Sequence, residues 1–134
     1  MIKDYLEKFG WEFTEVEENL LVTSFLDEKE QVYPLLITIQ DQVVSFTYEY
    51  QLKPGAVTNR QQLLILALRY NYVWPFVKIG LNDEQDALVL SLDFFEGAVL
   101  YSQFEELLGI FVESVLLCSD SFQEIHREPT NSGE

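Results

Sequence analysis

The segment from Thr58 to Val73, TNRQQLLILALRYNYV, constrains the fold most because it predicts a helix that is apolar on two opposite sides. A surface helix needs only one apolar stripe to face a core. Two stripes predict a helix that lies between a sheet and a second surface. At helical spacing one side is formed by Leu63, Leu66, Tyr70 and Val73, and the other by Leu64, Ile65, Leu68 and Tyr72.

The second side of this helix is the strongest sign of an interaction surface in the sequence. Burying one leucine side chain contributes about 2 kcal/mol, so several leucines left in water would form the kind of patch that marks an interface. The alternative is that the sheet and the last helix cover both sides within one chain. The residues expected to meet a second copy or a partner are Leu64, Ile65, Leu68 and Tyr72.

The remaining sequence alternates between helical and extended periodicity. Residues 1–9 predict a helix that Gly10 ends, and a capping-box pair, Ser102 and Glu105, predicts the start of the last helix, which runs to about Gln123. The pair Thr58 and Gln61 predicts the same cap for the central helix. The core stripe of the last helix is expected to be Phe104, Leu108, Phe111, Val115, Cys118 and Phe122.

Strands are predicted where the hydrophobic period changes to two. Residues 43–50 alternate cleanly between apolar and polar side chains, which is typical of an antiparallel sheet that is covered on one face. Pro34 cannot donate to a ladder, so its part of the third strand is expected at an edge or a bulge. The predicted strands are 11–16, 20–26, 32–40, 43–50, 75–81 and 87–95. The predicted class is therefore α+β, an antiparallel sheet with helices mainly on one face, in the order α-β-β-β-β-α-β-β-α.

Length and charge limit the classes of partner. A chain of 134 residues fits one domain, expected over residues 1–126, followed by a flexible polar tail over 127–134. The net charge of −15 repels phosphate backbones and anionic lipid surfaces, so neither nucleic acid nor membrane is expected as a partner. The charge could serve solubility alone, or it could select a basic partner or mimic nucleic acid.

The absence of an apolar signal core in the first residues, MIKDYLEKFGWEF, and of a run near the ~20 apolar residues of a membrane span predicts a soluble protein. A single cysteine, Cys118, agrees with a reducing compartment. The expected localisation is the cytoplasm.

No group of residues has the spacing of a catalytic, metal or cofactor site. His126 is the only histidine and is expected in solvent near the end of the last helix. The turn with Asp83, Glu84 and Asp86 lacks the glycine and the distal glutamate of a calcium loop. Cys118 falls on a core stripe, where a structural role is expected. We therefore expect no enzyme activity, no metal and no cofactor.

Two stretches resemble the YbjN family, a bacterial family with the type III secretion chaperone-like fold. One is the opening helix followed by Gly10-Trp11. The other is LALRYNYVWPFVKIGLNDEQDALVLSLDFF, residues 66–95, in which a helix ends in Asn71-Tyr72 and an apolar strand ends in Leu92-Asp93. The resemblance covers residues 1 to about 125. It implies a compact domain that often forms dimers, acts through protein contacts, is loosely linked to sensory regulation and has no active-site residues.

The function predicted from the sequence is a non-enzymatic protein-interaction module, chaperone-like or regulatory, that acts as a homodimer and binds a further protein. The surface for that further protein is expected around Trp11, Phe25 and Trp74. The alternative is a small-molecule pocket between sheet and helices, lined by Tyr48, Tyr50, Tyr70 and Phe76.

Overall fold

The computed structural model describes residues 1–52 and 57–127, and of residues 57 and 58 it describes only the backbone. The part of the chain that it describes has the predicted order of helices and strands. The elements are α1 (Ile2–Phe9), β1 (Phe13–Glu17), β2 (Leu20–Leu26), β3 (Val32–Gln40), β4 (Val43–Gln51), α2 (Val57–Val73), β5 (Lys78–Leu81), β6 (Ala87–Phe95), a 3-10 turn (Glu96–Ala98) and α3 (Tyr101–Arg127). The tail predicted over residues 127–134 lies outside the described residues, except for Arg127, which ends α3.

The six strands form one antiparallel sheet in the order β1-β2-β3-β4-β6-β5. Buried side chains meet across the centre of the sheet, where Phe46 of β4 pairs with Ile37 on one side and with Leu92 on the other. The connection between β3 and β4 is the predicted two-residue turn, with φ of 51° at Asp41 and 69° at Gln42, a geometry that matches the twist of a tight hairpin.

Helices cover one face of this sheet. α3 packs on β4 and β6, and all six residues of its predicted core stripe are buried. α1 contributes Ile2 and Leu6 to the same core, and Gly10 ends it at φ 91° by donating its N–H to the Leu6 carbonyl at 3.0 Å. The predicted α+β class and the helix end at Gly10 are confirmed.

Two predicted strand starts differ from the observed ones. Strand β1 starts at Phe13 because the Trp11 N–H still bonds to the Leu6 carbonyl of α1, at 3.1 Å. Strand β5 starts at Lys78, after the segment that follows Pro75. The predicted C-terminal end of this strand, Leu81, agrees with the structure.

The predicted cap of the last helix was wrong. α3 begins at Tyr101, one residue before the expected start, and the Leu100 N–H donates to Oε1 of Gln103 at 2.9 Å. The side chain that reaches back is therefore Gln103 and not Glu105. The cap predicted for α2 at Thr58 lies outside the described side chains.

Pro34 lies on an interior strand, in the part of that strand that has a paired neighbour on one side only, as its sequence position predicted. It pairs with Ser24 of β2, while the register between β3 and β4 begins two residues later, at the pair Leu36–Thr47. The proline therefore lies beyond the end of the β3–β4 pairing, where its missing N–H interrupts no ladder.

Candidate interaction surface

The side of α2 that faces away from the sheet is apolar and exposed. Ile65 is 53% exposed, Leu68 67% and Tyr72 92%, and we call these three residues the outer stripe of α2. On the opposite side Leu63 and Ala67 are buried. Within the part of the chain that the structure describes, nothing covers the outer stripe, and this is the arrangement expected of an interface.

The remaining residues of α2 are placed as follows. Leu64 is partly buried and packs against the core at the margin of the outer stripe. Leu66 and Tyr70 are also partly buried on the inner side. Val73, expected on the inner side, is instead 70% exposed, because Ala67 and Trp74 take the positions nearest the core.

Both ends of α2 are fixed to neighbouring elements. Near its start the Arg60 guanidinium donates to the Gln85 carbonyl in the β5–β6 turn. Near its end Tyr70 stacks on Trp74 at 4.4 Å between ring centroids, and its hydroxyl lies 2.9 Å from Oγ of Ser121 on α3. These contacts hold the outer stripe on a rigid support, which lowers the entropy cost of binding.

A shallow groove lies between the connection that follows α2 and the outer side of α3. Its volume is about 200 Å³. Phe76, 55% exposed, stands on one wall, and Leu117, 51% exposed, stands on the other. We call it the Trp74 groove; its lining includes Trp74, Pro75, Phe76, Ile110, Glu113 and Leu117. Trp74 and Phe76 were among the site residues expected from the sequence, whereas Ile110 and Leu117 were not.

Phe25, expected on a partner surface, lies in the core. It stacks on Tyr33 at 5.1 Å and lies under Trp11 at 5.9 Å between ring centroids. Trp11 is half-buried and packs edge-on against Phe9 at 5.6 Å. The alternation of β2 turns Phe25 toward the helices, so of these two expected partner residues only Trp11 is partly exposed to solvent.

Tyr48 and Tyr50 are also buried, beneath the last turns of α3. The Tyr50 hydroxyl lies 2.7 Å from Nδ1 of His126, and the two rings stack at 5.5 Å. Burial, and secondarily the nearby Tyr48, raises the pKa of Tyr50 to about 12. The prediction that His126 is a solvated terminal histidine was therefore wrong, because β4 brings Tyr50 under the helix end.

The four aromatic residues of the predicted small-molecule pocket do not line one cavity. Tyr48 and Tyr50 border a surface groove with Gln31 and Arg127, whereas Phe76 borders the Trp74 groove. Tyr70 fills the space between α2 and α3. The Trp74 groove, at about 200 Å³, is also smaller than the 300–1,000 Å³ typical of ligand pockets.

The buried thiol of Cys118 and the acidic turn after β5 both have structural roles. Burial raises the pKa of the Cys118 thiol to about 12, so it stays protonated at neutral pH. In the acidic turn Oδ1 of Asn82 accepts the N–H groups of Asp86 and Ala87, both at 2.9 Å. Within residues 1–52 and 57–127, no three His, Cys, Asp or Glu side chains are grouped so that they could hold a metal ion.

The charged side chains of α3 before His126 are all acidic. Its exposed side carries Glu105, Glu106, Glu113, Asp120 and Glu124, and no lysine or arginine occurs between Tyr101 and His126. Among the described residues the ion pairs join Lys3 to Glu15, at 2.8 Å, and the N-terminal amine to Asp4, at 4.0 Å. None of the five carboxylates of α3 takes part in these pairs.

No helix among the described residues is long and apolar enough to cross a bilayer.

Comparison with solved structures shows the fold. The chain is similar to the crystal structure of YbjN from E. coli, with a TM-score of 0.66, 20% identity, and coverage of 87% of this chain and 84% of that chain. An uncharacterized protein from Methanothermobacter thermautotrophicus gives a TM-score of 0.64 at 12% identity, covering 92% and 95%. A structure of the ExoU-SpcU complex from the type III secretion system of Pseudomonas aeruginosa gives 0.60 at 21% identity, covering 85% and 91%.

The sequence itself matches the YbjN family model, described as "Putative bacterial sensory transduction regulator", over residues 1–124. The chain belongs to the YbjN family, and the resemblance found in the sequence is confirmed. None of the curated proteins is significantly similar in sequence to this chain.

Proposed function

We propose that this protein is a non-enzymatic protein-interaction module that forms a homodimer through the outer stripe of α2 and binds a further protein in a chaperone-like or regulatory role. The observation that carries the proposal is the exposure of Ile65, Leu68 and Tyr72 on a helix that is fixed at both ends. A rigid exposed apolar stripe gains free energy when a complementary surface removes it from water.

The charge of α2 supports a second copy as the occupant. The whole chain carries −15, yet residues 57–73 contain no Asp or Glu and include Arg60 and Arg69. Two copies can therefore bring their α2 helices together without the repulsion between carboxylates that the rest of the surface would cause. The stripe can be its own complement, since a two-fold dimer uses the same patch on both subunits.

The proposal of a further protein partner is supported by a similar structure, which is a complex of two proteins. The similar structure that contains SpcU is a heterodimeric complex with ExoU. The acidic surface of the present chain would favour basic partners and exclude anionic ones. The cytoplasm is the proposed location, because a lone buried cysteine suits a reducing compartment.

Hydroxyl-radical footprinting at increasing protein concentration tests the proposed dimer surface. Tyr72 and Leu68 should be oxidised rapidly in dilute protein and should become protected as concentration rises. Leu26, which is 60% exposed at the end of β2, is the matched control and should react equally at all concentrations. Oxidation rates of Tyr72 and Leu68 that stay constant across the series, as that of Leu26 should, would contradict the proposal.

A further inference from the structure

The outer side of α3 combines apolar and acidic residues at a regular interval. Glu106, Glu113 and Asp120 follow one another at seven-residue spacing, and Ile110 and Leu117 repeat at the same spacing between them. Because seven residues are close to two helical turns, the five side chains form one stripe. The three carboxylates are exposed, and Leu117 is 51% exposed.

The Trp74 groove runs beside this stripe. Ile110, Glu113 and Leu117 belong to both the stripe and the groove, and Phe76 forms the opposite wall. Its volume of about 200 Å³ suits a protein side chain better than a free small molecule, for which pockets are typically larger. The Ser114 hydroxyl needs no hydrogen-bond acceptor from an occupant, because it already donates to the Ile110 carbonyl at 2.8 Å.

The charged side chains that α3 contributes to this surface are all negative. None of the α3 carboxylates is in an ion pair among the described residues. Lys78 is not among the residues that line the groove, and its Nζ donates to the Trp74 carbonyl at 3.4 Å. An occupant with apolar residues for the groove and cations for the stripe would therefore complement both features.

We propose that the Trp74 groove and the outer side of α3 bind a basic amphipathic helix of a partner protein. One apolar side chain of that helix enters the groove between Phe76 and Leu117, and lysines or arginines at seven-residue spacing lie along Glu106, Glu113 and Asp120. The helical form follows from the interval of the stripe, since two helices that pack side by side repeat their contacts every seven residues. The inference rests on the proposed protein-binding role and assigns a partner chemistry to a surface separate from the outer stripe of α2.

The probe is a pair of synthetic peptides of identical composition. One places lysine and leucine at seven-residue spacing on one face of a helix, and the other has the same residues in scrambled order. Binding to the full chain is measured by fluorescence anisotropy of a neutral label on each peptide. The patterned peptide is expected to bind at least tenfold more tightly than the scrambled one.

Variants of the full chain locate the binding site. Glu113→Lys and Phe76→Ala should each weaken binding of the patterned peptide at least tenfold, with Leu117→Ala as a second groove variant if Phe76→Ala alters the fold. Asp93→Lys, which makes the same charge change on the open face of the sheet, should leave binding within twofold. The inference is overturned if Asp93→Lys acts like Glu113→Lys, if both peptides bind equally, or if neither binds.

The variant Leu68→Asp separates this inference from the proposed dimer. It should retain full binding of the patterned peptide whatever its effect on the mass of the protein. Loss of peptide binding in Leu68→Asp would contradict the assignment to the Trp74 groove, whereas an unchanged mass would contradict only the dimer.

Discussion

The side-chain amide of Asn71, on the last turn of α2, makes two hydrogen bonds with the backbone of Ile79 in β5. Nδ2 donates to the Ile79 carbonyl at 2.7 Å, and Oδ1 accepts the Ile79 N–H at 2.6 Å. Because β5 is the last strand of the sheet, these backbone groups would otherwise be free at its edge. Asn71 therefore joins α2 to the sheet and blocks the addition of another strand at that position.

Asn71→Ala should lower the free energy of unfolding by about 2 kcal/mol, since two partly buried hydrogen bonds of about 1 kcal/mol each are lost. Urea denaturation measures the change, and faster amide exchange at Ile79 would localise it. Gln62→Ala, at an exposed position of the same helix, is the control and should change stability by less than about 0.5 kcal/mol. Equal effects of the two substitutions would rule out a joining role for Asn71.

The hydrogen bond between Tyr50 and His126 should appear as a coupling energy. Tyr50→Phe and His126→Ala each remove it, so the double variant should lose less stability than the sum of the single variants. The expected coupling is about 1 kcal/mol, the usual net value of one hydrogen bond. Urea denaturation of the four proteins at mildly alkaline pH gives this value, and strict additivity would show that the contact contributes nothing.

Stability should fall at alkaline pH, in part because of Cys118. Burial raises the pKa of this thiol from 9.0 to about 12, so the native state keeps a proton that the unfolded chain loses first. The thiol's contribution to the free energy of unfolding is thus fully present below pH 9.0 and is lost as pH rises toward about 12. The slope is at most about 1.4 kcal/mol per pH unit.

Cys118→Ala provides the comparison for that slope. The variant loses packing at every pH, but its stability should fall less steeply than that of the parent chain above pH 9.0. Tyr50, whose pKa is also raised by burial, titrates in both proteins and cancels in the comparison. Parallel stability curves for the two proteins would show that the thiol does not contribute.

Much of the fold could be predicted because the periodicity of these segments is strong. Strands β2, β3 and β6 have the bounds that alternation of apolar and polar residues predicted. The six core residues of α3 were identified by their helical spacing, and all are buried. The periodicity within each element indicates which of its sides faces the core.

What could not be predicted depends on contacts between distant residues. The environment of His126 is created by Tyr50, which lies 76 residues earlier in the chain. The Trp74 groove forms only where α3 packs beside Phe76, 34 or more residues away in the chain. The cap at Gln103 was missed because two side chains at the start of α3 could have served, and only the backbone geometry selects one.

The molar mass in solution tests most directly whether the outer stripe of α2 joins two copies. Sedimentation equilibrium over a range of concentrations should give the mass of two chains for the parent protein and of one chain for Leu68→Asp. Leu26→Asp, which places the same charge at another exposed leucine, should behave like the parent protein. A parent protein that stays at the mass of one chain at every concentration would contradict the account, as would a dimer that Leu68→Asp leaves intact.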